Sequence, residues 1–547
     1  MRTSRILLVA FLISLSSFSA TAQEKHQHDH QHNHSENLGK VSFPISCTKV
    51  QKQFNRAVAL LHSFWYEEAE KAFLEVTKEE PRCAMAYWGI AMSNYHPIWA
   101  PPTPAELGRG RTAVEQALST GGKNERENDL IAALEAFYKD SDNLDHRARS
   151  LAYEKAMERA HLRYPQDHEV AIFYALSLLG TALPTDKSYT NQKKAAEILN
   201  NLLPDEPEHP GIAHYIIHSF DYPQLAHLAL PAARAYAKIA PSSPHALHMP
   251  THIFTRLGLW QESIQLNLAS ANAAKRHVAK THPGAGSFDQ LHAMDYEVYA
   301  YLQGAQDQAA RRVIDEMTLI NKLDVDNFAA AYAFAAAPAR YALERRRWNE
   351  AAALNMHPSS FPWKNYPYAE AITYFARAIG AARNGDTAAA RKEVEKLTLI
   401  QKALTDAKEN YWANQVEIQR RAAAAWLAKS EARNEEALKL MCSAAELEDS
   451  TEKHPVTPGA VIPARELLAD MLTELNQYEA AIREYESSQR NSPNRFNALY
   501  GMACAAKKLG DRERLKSVYS KLIELCGQAD GGRRELKEVK EFLSAKM

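Results

Sequence analysis

HPGIAHYIIHSFDYPQLAHLALPAARAYAKIAPSSPHALHMPTHIFTRLGLW, residues 209–260, holds two histidine pairs at helical spacing, His214/His218 and His248/His252. The second pair follows the first by 34 residues at both positions (214 to 248, 218 to 252). Residues four apart are neighbours on one helix face, so each pair presents two imidazoles to the same side. A 34-residue period is that of the tetratricopeptide repeat, a stack of helical hairpins. With Pro241 at repeat position 32, His245, His248 and His252 fall at positions 2, 5 and 9 of the next first helix, and His214 and His218 at 5 and 9 of the one before. Positions 2, 5 and 9 line the concave groove of such an array, so the spacing predicts five histidines on the inner surface. Packed helix axes lie roughly 8–10 Å apart, a gap that facing imidazoles can close around an ion at about 2.0–2.1 Å per bond.

The same register holds far from this stretch. Pro81 as position 32 puts Ala57, Ala69 and Phe73 at positions 8, 20 and 24, where a small residue, an alanine and an aromatic belong. Pro493 as position 32 does the same for Ala469, Ala481 and Tyr485. The expected fold class is therefore all-α, a superhelix of tetratricopeptide-like hairpins in which each unit buries its apolar face only against its neighbours. Residues 97–125, rich in proline, read as a loop and a short helix; 127–140 and 151–180 read as helices. HPSSFPWKNYP, residues 357–367, suggests a junction between an N-terminal array at 41–345, which carries the histidines, and a C-terminal array at 346–547.

A third contributor to the groove follows in LHAMDYEVYAY, residues 291–301. There His292, Asp295 and Tyr299 fall at positions 2, 5 and 9 if Ala310 is position 20, and one place off if Ala309 is. The expected ligand set is His214, His218, His248 and His252, extended by His292 and Asp295. Asp221 is a further oxygen donor, and Glu169 or Tyr299 a candidate for acid–base steps. Imidazole with carboxylate suits Zn, Cu, Fe or Ni; no cysteine lies in the stretch, which disfavours an iron–sulfur cluster. His62 reads as packing beside Phe64 and Trp65, and His209 as a rim residue. Buried histidines bonded to one another, or a groove gripping a peptide carboxylate, are the metal-free alternatives, because buried polar groups must find partners.

The rest of the chain narrows the class. Formal net charge is −1 over 547 residues, so nothing points to nucleic acid as a partner. Arg2 and Arg5, the apolar run 6–15 and Ala20-Thr21-Ala22 read as a cleaved export leader over 1–22. Ten apolar residues are too few to span a bilayer, so a mature chain without membrane insertion, periplasmic or secreted, is expected. Residues 23–40 read as a disordered tail whose His26, His28, His30, His32 and His34 would capture metal. Of five cysteines, Cys47 and Cys83 are the pair to join first, since export permits disulfides. No Walker loop, HExxH or GxSxG element is present.

The segments CAMAYWGIAM, HPGIAHYIIHSFD, HALHMPTHIF and HAMDYEVYAYLQ, in that order, resemble a family of exported bacterial tetratricopeptide-repeat proteins. The resemblance covers most of the chain from about residue 41. It implies a helical superhelix, with His209, His214, His218, His245, His248, His252 and His292 as motif positions, and it supplies no reaction. The expected function is an exported binding or scaffold protein with a transition metal in its groove, the metal shaping the groove or being its cargo. A metalloenzyme acting on water or O2, and a metal-free module holding a peptide or protein, are the alternatives.

Overall fold

The computed structural model of the protein describes residues 36–98 and 101–545. The expected leader and the histidines of the tail lie outside the described residues. Of the segment read as tail, only 36–40 is described, and there Leu38 is buried and the Asn37 amide donates to Ser242 Oγ at 2.9 Å.

Helices follow one another in antiparallel hairpins, as the periodicity predicts: Gln51–His62 with Tyr66–Glu79, Ala464–Glu474 with Tyr478–Asn491, and Phe496–Leu509 with Arg512–Leu525. The chain is all-α; among the described residues the recorded β-pairing is an isolated bridge, Gly286 to Leu323. Ala57, Ala69 and Phe73 are fully buried, as are Ala469 and Ala481, with Tyr485 at 1%. The two aromatics explain the small residues sixteen places further on. A Cβ on Gly89 would stand 2.3 Å from Phe73 Cε1, and one on Gly501 2.3 Å from Tyr485 Cζ. Each ring thus packs on bare backbone of the next hairpin, which locks one unit to another.

One expected helix proves longer than its sequence suggests. Residues 97–125 hold a full helix, Pro104–Thr120, because Thr103 and Glu106 form a reciprocal capping box and Pro104 occupies its first position. Proline there starts a helix instead of forbidding one. A similar point governs the histidine stretch. Pro250 removes one backbone N–H between helices Pro244–His248 and Pro250–Leu257, yet Met249 keeps helical angles (φ −55°, ψ −37°). The turn therefore continues, and His248 and His252 stay one above the other.

Asn37–Met547 is one compact unit. The expected junction at 345/346 lies inside it and is crossed by buried charge: Arg495 pairs with both Glu344 and Glu466. Residues 450–463, between helices Asn434–Asp449 and Ala464–Glu474, return to the histidine helices. Lys453 Nζ donates to Asp221 Oδ2 at 2.7 Å, and Tyr296 Oη donates to the Val456 carbonyl at 3.2 Å. Among the described residues no helix is long and apolar enough to cross a membrane.

Candidate metal centre

Three elements position the imidazoles: helix Pro210–Phe220, the two-part helix Pro244–Leu257, and helix Phe288–Gln303. The six rings divide into two groups of three. His214, His218 and His245 form one; His248, His252 and His292 form the other, and within each group three ring nitrogens lie within 4.8 Å of one another. His214 Nε2 is 3.1 Å from both His218 Nε2 and His245 Nε2, and His248 Nε2 is 3.0 Å from His252 Nε2. Every ring is at most 9% exposed.

This differs from a single site shared by the two pairs. Rings one turn apart on one helix converge tip to tip, whereas the two pairs stand further from each other. His218 and His252 face each other with ring centroids 6.4 Å apart, and His245 and His248 with 6.2 Å. Each pair is completed instead by a third ring. His245, at position 2, turns back to His214, and His292 comes up against His248 with centroids 4.2 Å apart.

Outer partners fix the tautomers. His214 Nδ1 lies 2.6 Å from the His62 carbonyl, an oxygen that can only accept. His248 Nδ1 lies 2.7 Å from Asn267 Oδ1, whose orientation is set by Asn267 Nδ2 donating to the Ser263 carbonyl at 2.9 Å. His252 Nδ1 lies 3.1 Å from the Asp221 carboxylate. In all three rings Nδ1 is the donor, so a neutral ring carries its lone pair on Nε2, the atom aimed into the group. Burial keeps the rings neutral: it pulls His214 down to about 3 and His252 to about 4, the second against the pull of Asp221. His218, His245, His248 and His292 are likewise held well below the ordinary histidine range by burial and by neighbouring imidazoles.

Asp295 stands apart from both groups: its carboxylate forms a buried ion pair with Arg340. Asp221 is an orienting group with its oxygens taken by His252, Lys453 and Arg256. Burial raises its pKa, but Lys453 and then Arg256 outweigh that and hold the carboxyl well below its ordinary range. Tyr299 is paired outside the two groups: Arg495 donates to its oxygen at 2.9 Å. The Tyr296 oxygen lies 3.2 Å from His252 Nε2, but its proton goes to the Val456 carbonyl.

Sequence reasoning passed over a third buried group. Glu169 bridges His62 Nε2 at 3.0 Å and His209 Nε2 at 3.1 Å. A Cβ on Gly211 would lie 2.7 Å from His62 Nδ1, so the glycine of the HPG turn is what admits that ring. Since the His62 carbonyl orients His214, this group forms the wall behind the first triad. The signal was the HPG motif itself, which pairs a close approach with an adjacent imidazole. Phe64 supplies the rest of the wall, with its ring 4.3 Å from that of His214 and 5.5 Å from that of His218.

No protein-family model matches the chain and no curated protein is similar to it. Similar solved structures include a human IFIT1 dimer with m7Gppp-AAAA (TM-score 0.35, 10% identity, 81% of this chain and 90% of that one). Yeast Tom70 gives 0.32 at 10% identity over 91% and 96%. The Cut9–Hcn1 hetero-tetramer of the APC/C gives 0.30 at 11% over 90% and 95%. Scores of this size carry no argument, and the fold assignment rests on the helices described above.

Proposed function

We propose that this is an exported, tetratricopeptide-like protein whose work is done by a transition-metal centre of two three-imidazole sites. The observation that carries the reading is the convergence of committed lone pairs. His248 and His252 each give their only proton to a fixed acceptor, yet their Nε2 atoms lie 3.0 Å apart. Two neutral rings in that state repel, and a cation between them turns the repulsion into ligation. The outer partners are of the kind that orient metal-binding histidines, a carbonyl, an amide oxygen and a carboxylate. Neutral nitrogen donors alone suit Cu, Zn, Ni or Fe.

Three protein ligands per ion leave a coordination position open, the arrangement of reactive metal sites, where structural sites are closed. That favours chemistry on a small exogenous ligand over storage or a purely structural ion. It also weighs against a peptide held at this part of the groove, because Lys453 and Val456 of the chain itself already bond Asp221 and Tyr296 there. The leader motif and the Cys47–Cys83 disulfide support export to an oxidising compartment. X-ray absorption on metal-loaded protein tests the reading. About three imidazole nitrogens per ion at about 2.0–2.1 Å support it; a shell dominated by carboxylate or thiolate oxygen and sulfur would overturn it.

A further inference from the structure

We infer that the two triads act as one two-copper centre whose exogenous ligand is dioxygen. This rests on the metal reading above and deepens it. The first ground is charge. All six inward donors are neutral imidazoles; of the nearby carboxylates, Asp295 is neutralised by Arg340 and Asp221 by Lys453 and Arg256, and Glu169 behind the first triad is held by His62 and His209. Two divalent ions would place four positive charges beside a single carboxylate that no Lys or Arg pairs, Glu169, and buried charge without a counterion is costly. Two monovalent ions halve that load. Among the ions that imidazole suits, copper is the one with an accessible monovalent state.

The second ground is adjacency with open faces. The triads meet across His218–His252 and His245–His248, at centroid distances of 6.4 and 6.2 Å. The two triads are thus contiguous, as a ligand shared by two ions requires. The third ground is the electron count. Each cuprous ion gives up one electron, O2 accepts both, and the O–O bond falls from double to single with no proton moved. Charge before is two positive; after, two cupric ions and a peroxide dianion again sum to two positive. A buried site that cannot import counterions tolerates that exchange, since its net charge does not change. With every ring at most 9% exposed and Lys453 and Val456 bonded to Asp221 and Tyr296 beside the centre, the site suits a small neutral ligand better than a large one.

The test uses the full-length chain with His26, His28, His30, His32 and His34→Asn, so that the tail cannot hold copper. Protein is loaded anaerobically with Cu(I), metal content is measured, and the sample is then exposed to O2 and examined by electron paramagnetic resonance and near-ultraviolet absorption. Expected are two coppers per chain, a spin signal far below the copper content because the paired cupric ions couple, and a new charge-transfer band. His245→Ala should keep one copper and give a full cupric signal on oxidation. Two coppers with a full spin count would overturn the pairing. Retention of Zn(II) but not Cu(I) would overturn copper while leaving the metal centre standing, and failure to retain any metal would overturn both readings.

Discussion

His248 Nε2 and His252 Nε2 lie 3.0 Å apart while both rings donate Nδ1–H elsewhere, to Asn267 and to Asp221. Asn267 is therefore a positioning residue: it touches no proposed ion but decides which nitrogen of His248 is free. Asn267→Ala should weaken the ion of that triad about 10–100-fold and leave the other triad's ion unchanged. Competition against a graded series of chelators measures it, and identical affinities in the two proteins would contradict the assignment.

Lys453 places an ammonium 2.7 Å from Asp221 Oδ2 and close enough to the triads to depress His218, His248, His252 and His292. Its own pKa is brought down to about 8, chiefly by burial, with Asp221 opposing. A fixed positive charge beside a cation site weakens that site. Lys453→Met should tighten metal binding, by roughly tenfold for a charge acting through a protein interior. Weaker binding in the variant would show that the lysine's hold on Asp221 matters more than its charge.

How much of this could be read beforehand depended on what each feature draws on. The hairpin register was legible because it rests on local packing: Phe73 and Tyr485 needed only a small residue at a fixed distance along the chain. The histidine pairs were legible for the same reason, being one turn apart on one helix. Their grouping was not. Whether His245 turns toward His214 or His292 toward His248 depends on the angle between helices, which no spacing within a helix encodes. The pairing of Asp295 is not legible because its partner, Arg340, comes from another helix altogether, and Lys453 is separated from Asp221 by more than two hundred residues. The helix within 97–125 is longer than its proline-rich sequence suggests for a different reason: Pro104 opens a capped helix, Pro104–Thr120.

Arg495 is buried completely, with Glu344, Glu466 and Tyr299 around its guanidinium. Removing it leaves two buried carboxylates uncompensated. Arg495→Met should cost about 3–5 kcal/mol, measured by chemical denaturation, and adding Glu344→Gln and Glu466→Gln should restore much of the loss. A cost within experimental error would mean that the ion pairs across residue 345 do not hold the unit together.

Glu297 is 2% exposed, and burial, reinforced by Glu316, raises its carboxyl to about 8. Unfolded, the same group releases its proton near pH 4.3. The folded chain thus binds a proton that the unfolded chain has lost. Stability from this group is full below about pH 4 and declines as pH rises through about 8. Each tenfold difference in proton affinity is worth about 1.4 kcal/mol, so the decline amounts to a few kcal/mol. Glu297→Gln should flatten it. Denaturation of both proteins between about pH 5 and 8.5 checks the sign; a parallel pH dependence would contradict it.

The metal content of the full-length chain with the tail histidines replaced by asparagine, purified without added metal and then equilibrated with a limited excess, is the measurement on which the rest depends. Two ions per chain are expected, one in a His214→Ala or His248→Ala variant, and none when both substitutions are combined. Equal metal in the parent and the double variant would place the ions elsewhere and remove the proposed centre.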